Sequence, residues 1–202
     1  MIEQKWSEKV ILVDADYVDN VAFDLIVNFE RMIGRRIPQA DMAKWLECVA
    51  LDGGLRPSEG SSATIQVVLL HQKQEMGNFL PSNYSELDGK AFTGQLGEFL
   101  ISCVTVNDMV TMDELFIEST QVLSNAEEVK TIIAVPNAEQ LYNKVRAILC
   151  QTRDGKHATI LTMLPMEGGL NCKHHENFRQ EILGYSLMAA LGIHSEELVG
   201  AR

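Results

Sequence analysis

A chain of 202 residues that is 46% hydrophobic and 22% charged can fold around one core, and at this length roughly 70% of the unfolded surface can be buried. This is not the composition of a disordered chain. The 28 acidic and 17 basic residues give a formal charge of -11, which excludes a broad phosphate-neutralising surface for DNA or RNA but not a small contact to a phosphodiester.

The opening residues, Met-Ile-Glu-Gln-Lys-Trp-Ser-Glu-Lys, carry neither the basic start nor the apolar run of a signal peptide. No stretch reaches the ~18 apolar residues of a spanning helix, so a cytoplasmic protein without membrane contact is expected. Cys48, Cys103, Cys150 and Cys172 are widely separated with no paired spacing, which suits free thiols. Cys103 and Cys150 have apolar neighbours and are expected in the core.

Val10 to Val13 is a continuous apolar run, as in a strand covered on both faces of a parallel sheet, and it ends in Asp14-Ala-Asp16. From Val18, the residues Val21, Ala22, Leu25, Ile26, Phe29, Met32 and Ile33 recur at spacings of three and four, predicting a helix closed by Gly34. Pro38 is expected to open a second helix, with Met42, Ala43, Leu46, Val49 and Ala50 on one face and Gly53-Gly54 at its end. Ile65 to Leu70 reads as the second strand.

Residues 71–97 scatter Gly77, Pro81, Gly89, Gly94 and Gly97 through polar sequence, a long connection expected to serve as a lid or partner-binding insertion. Phe99 to Val106 is the third strand. Thr111-Met-Asp-Glu114 matches a capping box for a helix to about Leu123. Thr131 to Val135 is the fourth strand, stopped by Pro136 and followed by a helix with Leu141, Val145, Ile148 and Leu149 on its face. A turn at Arg153 to Lys156, a fifth strand over His157 to Leu164 and a final helix over Phe178 to Leu191 complete the chain. This alternation predicts one domain over 1–202, a three-layer α/β/α fold with a mostly parallel sheet of about five strands and right-handed crossovers.

Ligands of open parallel sheets bind at the carboxyl ends of the strands, so the acids there are the candidate site. Asp14 and Asp16 end the first strand, with Asp19 and Asn20 just beyond. Two carboxylates one residue apart suit Mg²⁺ or Mn²⁺, whose bound waters can be activated for hydrolysis. Asp16 or Asp19 could instead cap the helix. Asp14 interrupts an apolar strand end, where an unpaired charge is costly. Asp113 and Glu114 open the helix after strand three, and Asn137 and Glu139 open the one after strand four, where the same residue types serve as caps and first-turn acids.

With the acids in this order, the chain resembles the NYN branch of the PIN-like nuclease superfamily, in which acids after strand one, on a later helix and in a Ser-Gly-Asp-x-Asp-type loop after strand four hold a divalent metal. The resemblance implies phosphodiester hydrolysis, with Asp14, Asp16 and Asp113 on Mg²⁺ or Mn²⁺, Glu139 completing the catalytic set, and RNA as a plausible substrate class. In Val135-Pro-Asn137-Ala-Glu139-Gln an amide replaces one loop acid, and Glu139 is longer than the Asp it replaces. A diverged, non-catalytic relative acting through protein partners or as a homodimer is therefore an open alternative. Asp14-Ala-Asp16-Tyr-Val18 also looks like the opening of haloacid-dehalogenase-like phosphotransferases, but no Ser or Thr ends strand two, where His71-Gln72 stands. Cys172-Lys-His174-His175 lacks a second ligand pair for zinc, and His71, His157 and His194 read as solvated or hydrogen-bonded.

Overall fold

A computed structural model describes residues 5–58, 63–153, 155–164 and 177–200. In chain order the elements are β1 (Lys9–Asp14), α1 (Ala15–Ile33), β2 (Ala40–Asp41), α2 (Met42–Asp52), β3 (Thr64–His71), β4 (Phe79–Leu80), α3 (Tyr84–Leu87), β5 (Ala91–Gly94) and β6 (Gly97–Thr105). They continue as α4 (Met112–Asn125), β7 (Thr131–Val135), α5 (Ala138–Leu149), β8 (His157–Thr162), β9 (Phe178–Ile182), α6 (Leu183–Ala190) and α7 (Ser195–Val199).

The main sheet runs β5-β6-β3-β1-β7-β8-β9, with β5 antiparallel to β6 and every other pairing parallel. Its parallel part has the doubly wound order, and the direction of winding reverses between β1 and β7. Side-chain alternation divides the core in two. Ile11, Val13, Val67, Leu69, Ile133 and Val135 pack towards α1, α2 and α6. Val10, Leu12, Val68, Leu70, Ile132 and Ala134 pack towards α4 and α5. The predicted three-layer α/β/α architecture is therefore present. Each buried Val, Leu or Ile contributes roughly 1.5–3 kcal/mol. On the first face, fully buried Trp45 of α2 donates from Nε1 to Ser186 Oγ of α6 at 3.2 Å, satisfying its polar atom in an apolar setting.

The sheet has seven strands rather than about five. One extra strand is β5, which lies within the predicted insertion together with β4 and α3. The other is β9, which corrects the expected helix over Phe178 to Leu191. Phe178 and Ile182 are four residues apart, a spacing that suits either a strand face or a helix stripe. Pairing with β8 makes them strand, and the helix starts only at Leu183. The second helix starts at Met42, with Asp41 as its N-cap, rather than at Pro38.

Gly34 ends α1 at φ 75°, donating its N–H to Glu30 O, as its predicted closing role requires. Gly53 lets the end of α2 rest directly on Ile133, whose side chain occupies the space a Cβ would need. Cys48 and Cys103 are free, half-buried thiols. Cys150, at the C-cap of α5, is disulfide-bonded, correcting the expectation that it is a free thiol. Wide spacing in sequence does not prevent bridging when the fold brings cysteines together. Cys172, His174 and His175 lie outside the described residues. Among the described residues no helix is long and apolar enough to cross a membrane.

Candidate functional site

The reversal of winding places the end of β1 beside the end of β7, with Val13 opposite Val135, so Asp14 lies at the crevice of the parallel sheet. Alternation from Val10 and Leu12 directs Asp14 to the α4 and α5 side. It is 4% exposed. No loop separates β1 from α1, so Asp14 is itself the N-cap, and its Oδ1 accepts the Tyr17 N–H at 3.0 Å. The capping role expected for Asp16 or Asp19 thus belongs to the residue thought least suited to it. Burial is the main reason the Asp14 carboxyl is pushed up to about 6, and repulsion from Asp16 and Asp113 adds to it. Tyr17 is pushed up to about 12, again mainly by burial, with Glu139 and Asp14 contributing.

Asp14, Asp16, Asp113 and Glu139 therefore share one electrostatic neighbourhood, but their oxygens do not share one task. Asp16 Oδ2 accepts the backbone N–H groups of Gln72 and Lys73 at 2.8 and 3.4 Å, while its Oδ1 is buried without a hydrogen-bond partner. Asp19 accepts the N–H groups of Gly77 and Asn78 at 3.1 and 2.9 Å. Both side chains hold the segment after β3 against α1. Asp113 sits in the first turn of α4, beside the complete Thr111–Glu114 capping box, and lines a groove with Ile117, Leu141 and Lys144. Glu139 is an exposed first-turn residue of α5.

Asn137 occupies the N-cap position of α5 but makes no capping bond, and its Oδ1 is buried without a partner. Among the described residues, no three His, Cys, Asp or Glu side chains form a group able to hold a metal ion.

The tethering role of Asp19 was not among the roles expected for the acids that follow β1. The signal was there in its weakest form, an acid one turn into a helix opposite a glycine-bearing segment. His71 is hydrogen-bonded, as expected, through Nδ1 to the Lys73 carbonyl at 2.8 Å, and it is also buried with its ring stacked on Tyr84 at 3.7 Å between centroids. Of the other two histidines, His157 is exposed and His194 forms a capping box with Glu197 of α7.

No curated protein and no solved structure matches the chain. A family model described as a family of unknown function (DUF6621) matches residues 3–198, nearly the whole length, and the chain belongs to that family.

Proposed function

We propose that this chain is a diverged relative of the PIN/NYN-like nucleases whose crevice at the ends of β1 and β7 binds a ligand or partner without hydrolysing phosphodiesters. The doubly wound order and the position of Asp14 support the kinship. One observation carries the non-hydrolytic part: two of the three acids expected to hold metal each commit an oxygen to backbone amides, Asp14 to Tyr17 and Asp16 to Gln72 and Lys73. Asn137 replaces an acid at the strand-four position, and an amide neither carries charge to a metal nor acts as a base. The buried, unpartnered Oδ1 of Asn137, just after β7, is an acceptor, so the crevice favours a ligand that donates hydrogen bonds. The cytoplasmic location expected from the sequence stands against the Cys150 disulfide, since such bridges are rare in reducing compartments.

The test compares the full chain with Asp14→Asn on single-stranded RNA and on p-nitrophenyl phosphate, with Mg²⁺ or Mn²⁺ present. The expected result is no turnover above the variant's background on either substrate. RNA cleavage that depends on Asp14 would restore the nuclease reading, and monoester hydrolysis that depends on Asp14 would restore the phosphotransferase reading.

A further inference from the structure

At the carboxyl ends of β3 and β6, on the α1 side of the sheet, lies a cavity of about 250 Å³. Two strands build its base. Alternation from Leu69 brings His71 to that side, and alternation from Ile101 brings Cys103 and Thr105, with Thr105 directly opposite His71 in the register. The cavity is thus on the opposite face from Asp14.

Its polar groups have fixed roles. His71 Nδ1 is 2.8 Å from the carbonyl oxygen of Lys73, which can only accept, so Nδ1 carries a proton and Nε2 of the neutral ring is left as an acceptor. Thr105 Oγ1, at 3.5 Å from that Nε2, makes at most a long contact with it. Asn83 Oδ1 accepts both the N–H and the hydroxyl of Ser85, at 2.9 and 2.7 Å, leaving the Asn83 amide N–H groups as donors. Tyr84 is 2% exposed, and its buried hydroxyl has no partner. A ligand acceptor would supply the hydrogen bond this hydroxyl lacks.

Charge narrows the ligand class. Lys73 and Asp88 both line the cavity, but each has a partner of its own: the Lys73 ammonium donates to Asn20 Oδ1 at 3.1 Å, and Asp88 Oδ1 accepts the Cys103 N–H at 2.8 Å. The Cys103 thiol is pushed up to about 12, mainly by burial, and stays protonated, so the cavity offers no thiolate to an electrophile or a soft metal. The volume falls below the ~300–1,000 Å³ of drug-sized sites. We propose that this cavity binds a small, neutral, polyhydroxylated molecule of monosaccharide size, whose hydroxyls both donate and accept, with the stacked His71 and Tyr84 rings as one wall.

The test titrates the isotope-labelled full chain with D-glucose and D-ribose, and with the charged counterparts D-glucosamine and ribose 5-phosphate, following backbone amide shifts. A neutral sugar is expected to move the amides of Lys73, Ser85 and Cys103 saturably, and the charged counterparts to bind about tenfold more weakly. Asn83→Asp keeps the oxygen that caps Ser85 and exchanges the amide donor for a charged acceptor oxygen, so it should weaken sugar binding about tenfold in a folded protein. Thr105→Val is the second variant and should also weaken it. The proposal is overturned if neither sugar gives a saturable shift up to tens of millimolar, if the charged counterparts bind as well, or if both variants bind like the parent.

Discussion

Asp19 and Asn78 hold each other through three hydrogen bonds: Asp19 Oδ1 accepts the Asn78 N–H at 2.9 Å and its Nδ2 at 3.2 Å, and Asn78 Nδ2 also reaches the Asp19 carbonyl at 3.2 Å. Asp19 is 5% exposed and takes the Gly77 N–H as well, so removing its carboxylate leaves buried donors without acceptors. Asp19→Ala should cost about 3 kcal/mol in urea denaturation and raise amide exchange across 72–83. A loss under about 1 kcal/mol with unchanged exchange would show that this contact does not hold the segment.

Asp14 gives a pH dependence with a definite sign. Its folded-state pKa of about 6 lies above the ordinary 3.8, so between those values the folded state binds more protons than the unfolded state. Stability therefore falls as pH rises through that window, and the penalty is fully present above about 6. Asp52, also raised to about 6 mainly by burial, acts in the same direction. Asn caps helices as well as Asp does, so Asp14→Asn should keep the cap and remove the charge. Thermal melts should show the variant about 2 kcal/mol more stable at pH 8, little changed at pH 4, and with a reduced slope between. Equal slopes in the two proteins would contradict the assignment.

Asn137→Asp tests what separates this crevice from a metal site. A second buried acid near Asp14 should destabilise the chelator-treated protein by about 1 kcal/mol through like-charge repulsion. Millimolar Mn²⁺ should restore the melting temperature of the variant and leave the parent unchanged. An equal Mn²⁺ effect on both proteins would count against the loss of the cage.

Lys156 fastens the end of α4 from across the fold. Its ammonium donates to the carbonyl oxygens of Leu123, Ser124 and Ala126 at 3.3, 2.8 and 2.6 Å, while the residue is only 5% exposed. Charged donors near a helix C-terminus complement both the free carbonyls and the dipole. Lys156→Met keeps the aliphatic stem and should cost about 2 kcal/mol in urea denaturation. A neutral result would assign those carbonyls to solvent.

The architecture was legible because each long strand is an unbroken apolar run and most helices announce themselves by spacing and caps. Thr111–Glu114 is the clearest case, with both halves of the capping box present in the structure. β9 was hidden because Phe178 and Ile182 suit two periodicities, and only pairing with β8 decides between them. The burial of Asp14 at the close of β1 was legible, since a charge closing an apolar strand has to find a partner. The chemistry of the site was not legible, because the partners of Asp16 and Asp19 lie more than fifty residues away and are mostly backbone amides, which carry no signature in the side-chain sequence. Asn137 could be read as a missing acid, but not as a cap position whose side chain makes no cap bond.

The direct passage from β1 into α1 has a mechanical consequence. Asp14 clamps the first turn of the helix, and Asp16 and Asp19, within the next five residues, each grip the chain that follows β3. Strand end, helix start and neighbouring segment form one stiff corner with no hinge inside it. The 72–78 stretch can lift only when its carboxylate grips let go, so its opening should be slow and all-or-none, rather than the graded flutter of an ordinary surface loop.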